Sequence, residues 1–225
     1  MKQEIINTIK NSTFKIGTDQ GAGTCVCIEP GYFLTCAHVL DSQSWIELED
    51  GVKILFQTLH KNKKYDFAKI KALARIENLA VINKQPNHKF SITEQLWVAG
   101  YPAEMDNLTF MPVTVSAITT INDIPAIRFY GAAIGGFSGA PVFTKTGALV
   151  AMVTNKASNF TSLFQGFISA QDTLNFYQPL LVEVVKNIKE SSNLGFGYAL
   201  PIHEIGKRAP TDFKIFSSQE KIKEK

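Results

Sequence analysis

The stretch Gly135-Gly136-Phe137-Ser138-Gly139-Ala140-Pro141-Val142 decides how this chain is read. Its three glycines around one serine permit a tight backbone that residues carrying a Cβ resist. Pro141-Val142-Phe143 then opens a short apolar run, and proline is tolerated as the first residue of a strand. The serine therefore sits on a loop that leads into a strand. Taken alone, the segment is a glycine-rich turn with an incidental serine, so its meaning depends on the rest of the chain.

Working outward, short apolar runs occur at 24–29, 32–35, 45–48, 53–59, 67–72, 96–100, 109–121, 124–130, 141–143 and 148–154, separated by Gly, Pro, Asn and Asp. Strands at this spacing suggest a sandwich or barrel rather than βαβ units. Helices are expected at three places: 2–11, 178–189 and 203–207. In the second, Leu181, Val184, Val185 and Ile188 recur at three- and four-residue steps, and Pro179 suits a first helical turn, so this helix packs its stripe onto a barrel.

The 225 residues are 45% hydrophobic, enough to fill a sizeable core, and a formal net charge of +3 is spread along the chain. That leaves no concentrated basic surface for a nucleic-acid backbone. No apolar run is long enough to cross a bilayer, and Glu4, Asn7 and Lys10 break the start where a secretory signal would need an uninterrupted stretch. The expected location is the cytoplasm. Cys25, Cys27 and Cys36 form an odd count without paired metal-ligand spacing. They read as buried free thiols, with a cross-strand Cys25–Cys36 bridge as the alternative if the turn at Pro30-Gly31 places those two opposite each other. No metal or organic cofactor is implied.

Two more segments give the serine loop its meaning. Gly21-Ala22-Gly23-Thr24 leads by a hairpin into Tyr32-Phe33-Leu34-Thr35-Cys36-Ala37-His38, and Tyr65-Asp66-Phe67-Ala68-Lys69-Ile70 starts an alternating strand with an acid. His, Asp and Ser in this order are the residue types of nucleophilic acyl transfer. The three segments resemble the hairpin ending in Thr-x-x-His, the Asp-apolar-Ala strand and the Gly-x-Ser-Gly-x-Pro loop of chymotrypsin-like serine peptidases. Trp97-Val98-Ala99-Gly100-Tyr101-Pro102, Gly147–Thr154 and Gly197-Tyr198-Ala199-Leu200-Pro201-Ile202 extend the likeness, the last to the bacterial high-temperature-requirement branch.

The resemblance implies an all-β fold of two six-stranded antiparallel barrels, with an inserted helix and a short C-terminal helix. One trypsin-like domain would span 1–225: a first barrel at about 12–90, a second at about 95–207 with the helical insert at 172–192, and a tail at 208–225. Too few residues remain for an appended peptide-binding module. It also implies a serine endopeptidase with His38, Asp66 and Ser138 as triad and the N–H groups of Gly136 and Ser138 as oxyanion hole. Thr154 takes the place of a residue that supports the acid, and Ala132, Thr154, Asn155 and Gly197 fall at the substrate pocket. With no acid at 131–137, a small or medium apolar side chain is expected before the cut. Residues 156–193, with Phe160, Phe164 and Phe167, are expected to cover the cleft. Phe137 stands where the blood- and gut-type members have an aspartate that pairs with a newly cut N-terminus, so activation by that route is not expected. Polypeptides are the expected partners, with room for an oligomer or a regulatory partner.

Two other readings draw on fragments of the sequence. An α/β-hydrolase would order its triad as Ser, acid, His, for which Ser138, Asp172 or Asp212, and His203 offer fragments. Its elbow wants Gly-x-Ser-x-Gly followed by a helix, whereas Ala140 fills the last glycine and a strand follows. The second rival is a peptidase fold that is catalytically silent or activated by a partner. Asp41 and Asp50 are the fallback acids.

Overall fold

The computed structural model describes residues 1–225 except 19–20, 42, 103–104, 106, 132–134, 155–195 and 211–225. A short helix α1 (Gln3–Lys10) precedes strands β1 (Thr13–Thr18), β2 (Gly21–Glu29) and β3 (Tyr32–Thr35). A 3₁₀ turn (Ala37–Val39) leads to β4 (Trp45–Glu47), β5 (Lys53–Ile54), β6 (Phe56–Asn62) and β7 (Phe67–Ala72). The second half holds β8 (Gln95–Gly100), β9 (Thr109–Ile121), β10 (Ile124–Tyr130), β11 (Pro141–Phe143), β12 (Leu149–Thr154) and β13 (Phe196–Pro201), then helix α2 (Ile202–Arg208). The helix expected at 178–189 lies outside the described residues.

The first half is an antiparallel seven-stranded half-barrel in the order β5-β4-β1-β2-β3-β7-β6. The second is a closed six-stranded barrel in the order β10-β13-β12-β11-β8-β9. This is the mostly β, double-barrel architecture expected of the chain, with β1 as a strand beyond those read from its apolar runs. Closure matters because a barrel leaves no unpaired edge. Turn chemistry supports the pairing: Asn122 and Asp123, both at positive φ (49° and 62°), join β9 to β10, as a two-residue hairpin with this twist requires.

The halves share one apolar core. Ile16, Val26, Phe33, Leu34, Phe67 and Ile70 from the half-barrel cluster with Phe143, Leu149, Met152, Leu200 and Ile205 from the other side. β12 is buried along its whole length, because Val150, Ala151 and Val153 join the barrel's own core while Leu149 and Met152 join the shared one. The connecting segment is stitched to both halves: Ile82 N–H donates to Cys27 C=O at 3.2 Å, and Leu149 N–H to Asn83 C=O at 2.7 Å. Among the described residues, no helix is long and apolar enough to cross a membrane.

The cysteines are the buried free thiols that the sequence suggests, and the alternative Cys25–Cys36 bridge does not form. A register shift between Cys27 and Glu29 places Val26 opposite Leu34, so the residue facing Cys25 is Thr35 and not Cys36. All three cysteines are free and buried. The extra residue taken up at the bulge moves each later pair by one position, which removes the geometry for a cross-strand bridge.

Candidate active site

Three local devices bring His38, Asp66 and Ser138 together at the junction of the halves. The 3₁₀ turn after β3 lifts His38 out of the sheet, so its side chain is 46% exposed although Ala37 and Val39 beside it are buried. Asp66 ends the turn between β6 and β7 with φ of +57°, a left-handed conformation that Asp tolerates better than most side chains. Ser138 follows Gly136 (φ +92°) and precedes Gly139 (φ +87°), both in backbone that favours glycine.

The side chains form a continuous chain of contacts. Thr154 Oγ1 donates to Asp66 Oδ2 at 2.6 Å. Both carboxylate oxygens of Asp66 lie 2.9 Å from His38 Nδ1, and the His38 backbone N–H donates to Oδ1 at 3.0 Å. His38 Nε2 lies 3.0 Å from Ser138 Oγ. When Nδ1 carries the proton towards Asp66, Nε2 presents its lone pair to the serine hydroxyl. Burial pushes the Asp66 carboxyl upwards, but the His38 ring, its charge, the Thr154 hydroxyl and the His38 N–H outweigh it and hold the group below the ordinary carboxylate range.

The fallback acids are used elsewhere. Asp41 accepts from Ser44 Oγ at 2.8 Å and from Gln43 N–H at 2.9 Å, and Asp50 accepts from Val52 N–H at 3.1 Å. Both serve local turns. His203, the histidine of the other triad order, pairs with its neighbour Glu204 at 3.1 Å, while Asp172 and Asp212 lie outside the described residues.

Cys36, His38 and Asp66 place ligand-type atoms within 4.8 Å of one another. The set suits a metal poorly. Burial holds the Cys36 thiol well above its ordinary pKa, so it is the neutral thiol that donates to Val153 C=O at 3.2 Å, whereas a metal needs the thiolate.

The loop carrying Ser138 is held on its carbonyl side. Thr24 Oγ1 donates to Gly136 C=O at 2.8 Å, Ala140 N–H to Phe137 C=O at 2.9 Å, and Thr24 N–H to Ser138 C=O at 2.9 Å. Among the described residues, neither the Gly136 nor the Ser138 N–H donates to a backbone carbonyl. Phe137 is buried in the barrel core, with its ring against Gly100, where an added Cβ would stand 2.7 Å from Cδ1.

Of the residues expected at the pocket, Thr154 is buried and engaged with Asp66. Gly197 pairs with Phe129 across β10 and β13, and the Phe129 ring fills the space where a Cβ would be, 2.4 Å away. Ala132 and Asn155 lie outside the described residues, as do 156–193. Sequence reading passed over Thr24 and Tyr101, whose N–H donates to Thr24 Oγ1 at 3.1 Å. No local motif marks this pair, whose members lie 77 residues apart.

Known proteins agree with this architecture. The Rv3671c protease of M. tuberculosis, in its active form, is similar in fold with a TM-score of 0.66 at 14% identity, over 90% of this chain and 81% of that one. Its inactive form gives 0.64 at 14% identity, over 90% and 89%. A serine endoprotease from Yersinia pestis gives 0.63 at 18% identity, over 92% of this chain and 65% of that one. No curated protein matches the sequence. The family model of the trypsin-like peptidase domain matches residues 23–152, a span that contains His38, Asp66 and Ser138. By that match the chain belongs to the trypsin-like peptidase domain family and is a serine endopeptidase.

Proposed function

We propose that the chain hydrolyses peptide bonds through a triad of His38, Asp66 and Ser138. The observation that carries this reading is the run of contacts from Thr154 through Asp66 and His38 to Ser138, at 2.6, 2.9 and 3.0 Å. Ser138 Oγ attacks the scissile carbonyl while His38 Nε2 takes its proton. The oxyanion that forms is met by the N–H groups of Gly136 and Ser138, neither of which donates to a backbone carbonyl among the described residues. His38 then gives the proton to the leaving amine, and water repeats the sequence on the acyl-enzyme. Asp66 remains ionised and holds the imidazole in the productive tautomer.

The same reading extends to selectivity and location. No carboxylate occurs at 131–137, and the Phe129 ring stands behind Gly197, so cleavage after small or medium apolar side chains is favoured over cleavage after Lys or Arg. Three free, buried cysteines fit a reducing compartment such as the cytoplasm.

The deciding experiment is covalent labelling of the folded protein with a fluorophosphonate. Label on Ser138, absent in His38→Ala, is expected. A folded wild-type protein that takes no label would instead establish a silent or partner-activated peptidase fold. A panel of peptides with Ala, Val, Leu, Lys or Arg before the cut tests the selectivity.

A further inference from the structure

Thr24 holds two of the three carbonyls of the Gly136–Ser138 loop, that of Gly136 by its hydroxyl and that of Ser138 by its N–H. Its side chain is fully buried, and both roles of the hydroxyl are filled: it accepts from the Tyr101 N–H at 3.1 Å, so its own proton is directed at Gly136 C=O, 2.8 Å away. The Thr24 backbone is fixed in turn by Thr35 Oγ1, which donates to Thr24 C=O at 2.7 Å. Thr24 belongs to β2 of the half-barrel, whereas Tyr101 follows β8 and Gly136 precedes β11 in the other half.

Gly135-Gly136 needs such a hold. Two successive residues without Cβ leave the backbone free to rotate at small steric cost, and Gly136 sits at φ +92°. Because a peptide unit is planar, anchoring Gly136 C=O fixes the plane of the Gly136–Phe137 peptide, including the Gly136 Cα from which the Gly136 N–H departs, so one of the two peptides that meet at this glycine is held in place. We propose that the Thr24 hydroxyl is a positioning residue that keeps the Gly136 N–H aimed at the oxyanion, with the Tyr101 peptide N–H as its own anchor across the halves. This rests on the peptidase reading given above.

The test uses the full chain with Thr24→Val, which keeps the shape and removes the hydroxyl, Thr24→Ala, which removes it without crowding, and Thr24→Ser, which retains it. Turnover is measured on a chromogenic peptide and divided by the number of sites titrated with a fluorophosphonate, so that a smaller folded fraction does not count as slower chemistry. The hydroxyl-free variants are expected to lose about 10- to 100-fold in kcat per titrated site with KM nearly unchanged, as misaimed catalytic groups typically do. The acid limb of the pH profile stays where the wild type has it, and Thr24→Ser recovers most of the loss. Turnover per site within twofold of wild type in Thr24→Val or Thr24→Ala would overturn the proposal, as would a Thr24→Ser variant as impaired as the other two. If the wild type takes no label, the peptidase reading fails by itself. The Thr24 proposal is then read from crystal structures: a Gly136–Phe137 peptide that turns in Thr24→Ala supports it, and one that stays in place overturns it.

Discussion

Thr154 Oγ1 donates a hydrogen bond to Asp66 Oδ2 and so ties the last residue of β12 to the turn between β6 and β7. The bond satisfies a buried carboxylate oxygen and is one of the interactions that hold Asp66 below the ordinary carboxylate range. Thr154→Val should move Asp66 upwards and reduce kcat by roughly 3- to 10-fold, the scale of one lost hydrogen bond to a charged group. Thr154→Ser keeps the donor and should stay close to wild type in the same assay.

Asp66 also makes stability depend on pH. Its folded pKa is depressed, so its contribution is fully present above the unperturbed value of 3.8 and is lost as pH falls through the lower folded value. Urea midpoints of wild type and Asp66→Asn should therefore differ most near neutral pH and converge below pH 3.8. At neutral pH the variant should lose about 10⁴-fold in kcat, because Asn favours the wrong histidine tautomer.

Gly139 tolerates no side chain. A Cβ there would stand 2.1 Å from Thr24 C=O and 2.5 Å from Thr35 Oγ1, at a φ of +87°. Gly139→Ala should lower stability by roughly 3 kcal/mol or more and abolish labelling of Ser138, since the loop must leave its place. Thermal denaturation and fluorophosphonate labelling check the two effects together.

Phe137 anchors the same loop by packing. Truncation to Ala should cost roughly 3–5 kcal/mol in chemical denaturation. It should also slow turnover, because the cavity would open between Gly136 and Ser138. With an apolar ring at this position, trimming the N-terminal residues before α1 should leave kcat unchanged.

The thiols give a fifth handle. Burial and the nearby Cys27 raise Cys25, burial and the nearby Asp66 raise Cys36, and burial pushes Cys27 up to about 12. A disulfide reagent at pH 8 should leave the native protein unreacted over minutes and titrate all three cysteines after denaturation.

Much of this was legible because continuous apolar runs announce buried strands. β3, β7, β9, β10 and β11 have the limits that their runs suggest. β1 was not legible: Thr13-Phe14-Lys15-Ile16-Gly17-Thr18 is short and mixed, and it becomes a strand by pairing with both β2 and β4. One run, 53–59, became two strands, β5 and β6, because the chain changes partner at Leu55, from β4 to β7. His38, Asp66 and Ser138 stood out through their local motifs. Thr24 did not, since its partners Tyr101 and Gly136 are 77 and 112 residues away. Pairings of that range are set by how the halves dock, which no local pattern encodes.

That docking also times the chemistry. On the proposed triad, the base His38 and the acid Asp66 belong to the half made first, and the nucleophile Ser138 belongs to the half made second. A nascent chain that has reached Phe137 already has its imidazole and carboxylate but nothing with which to attack a carbonyl. After Ser138 emerges, the serine loop still waits for β12, since Gly139 N–H donates to Val153 C=O and Asp66 takes its remaining donor from Thr154. On that triad, the chain lacks a complete set of catalytic groups and their supports until β12 has been made.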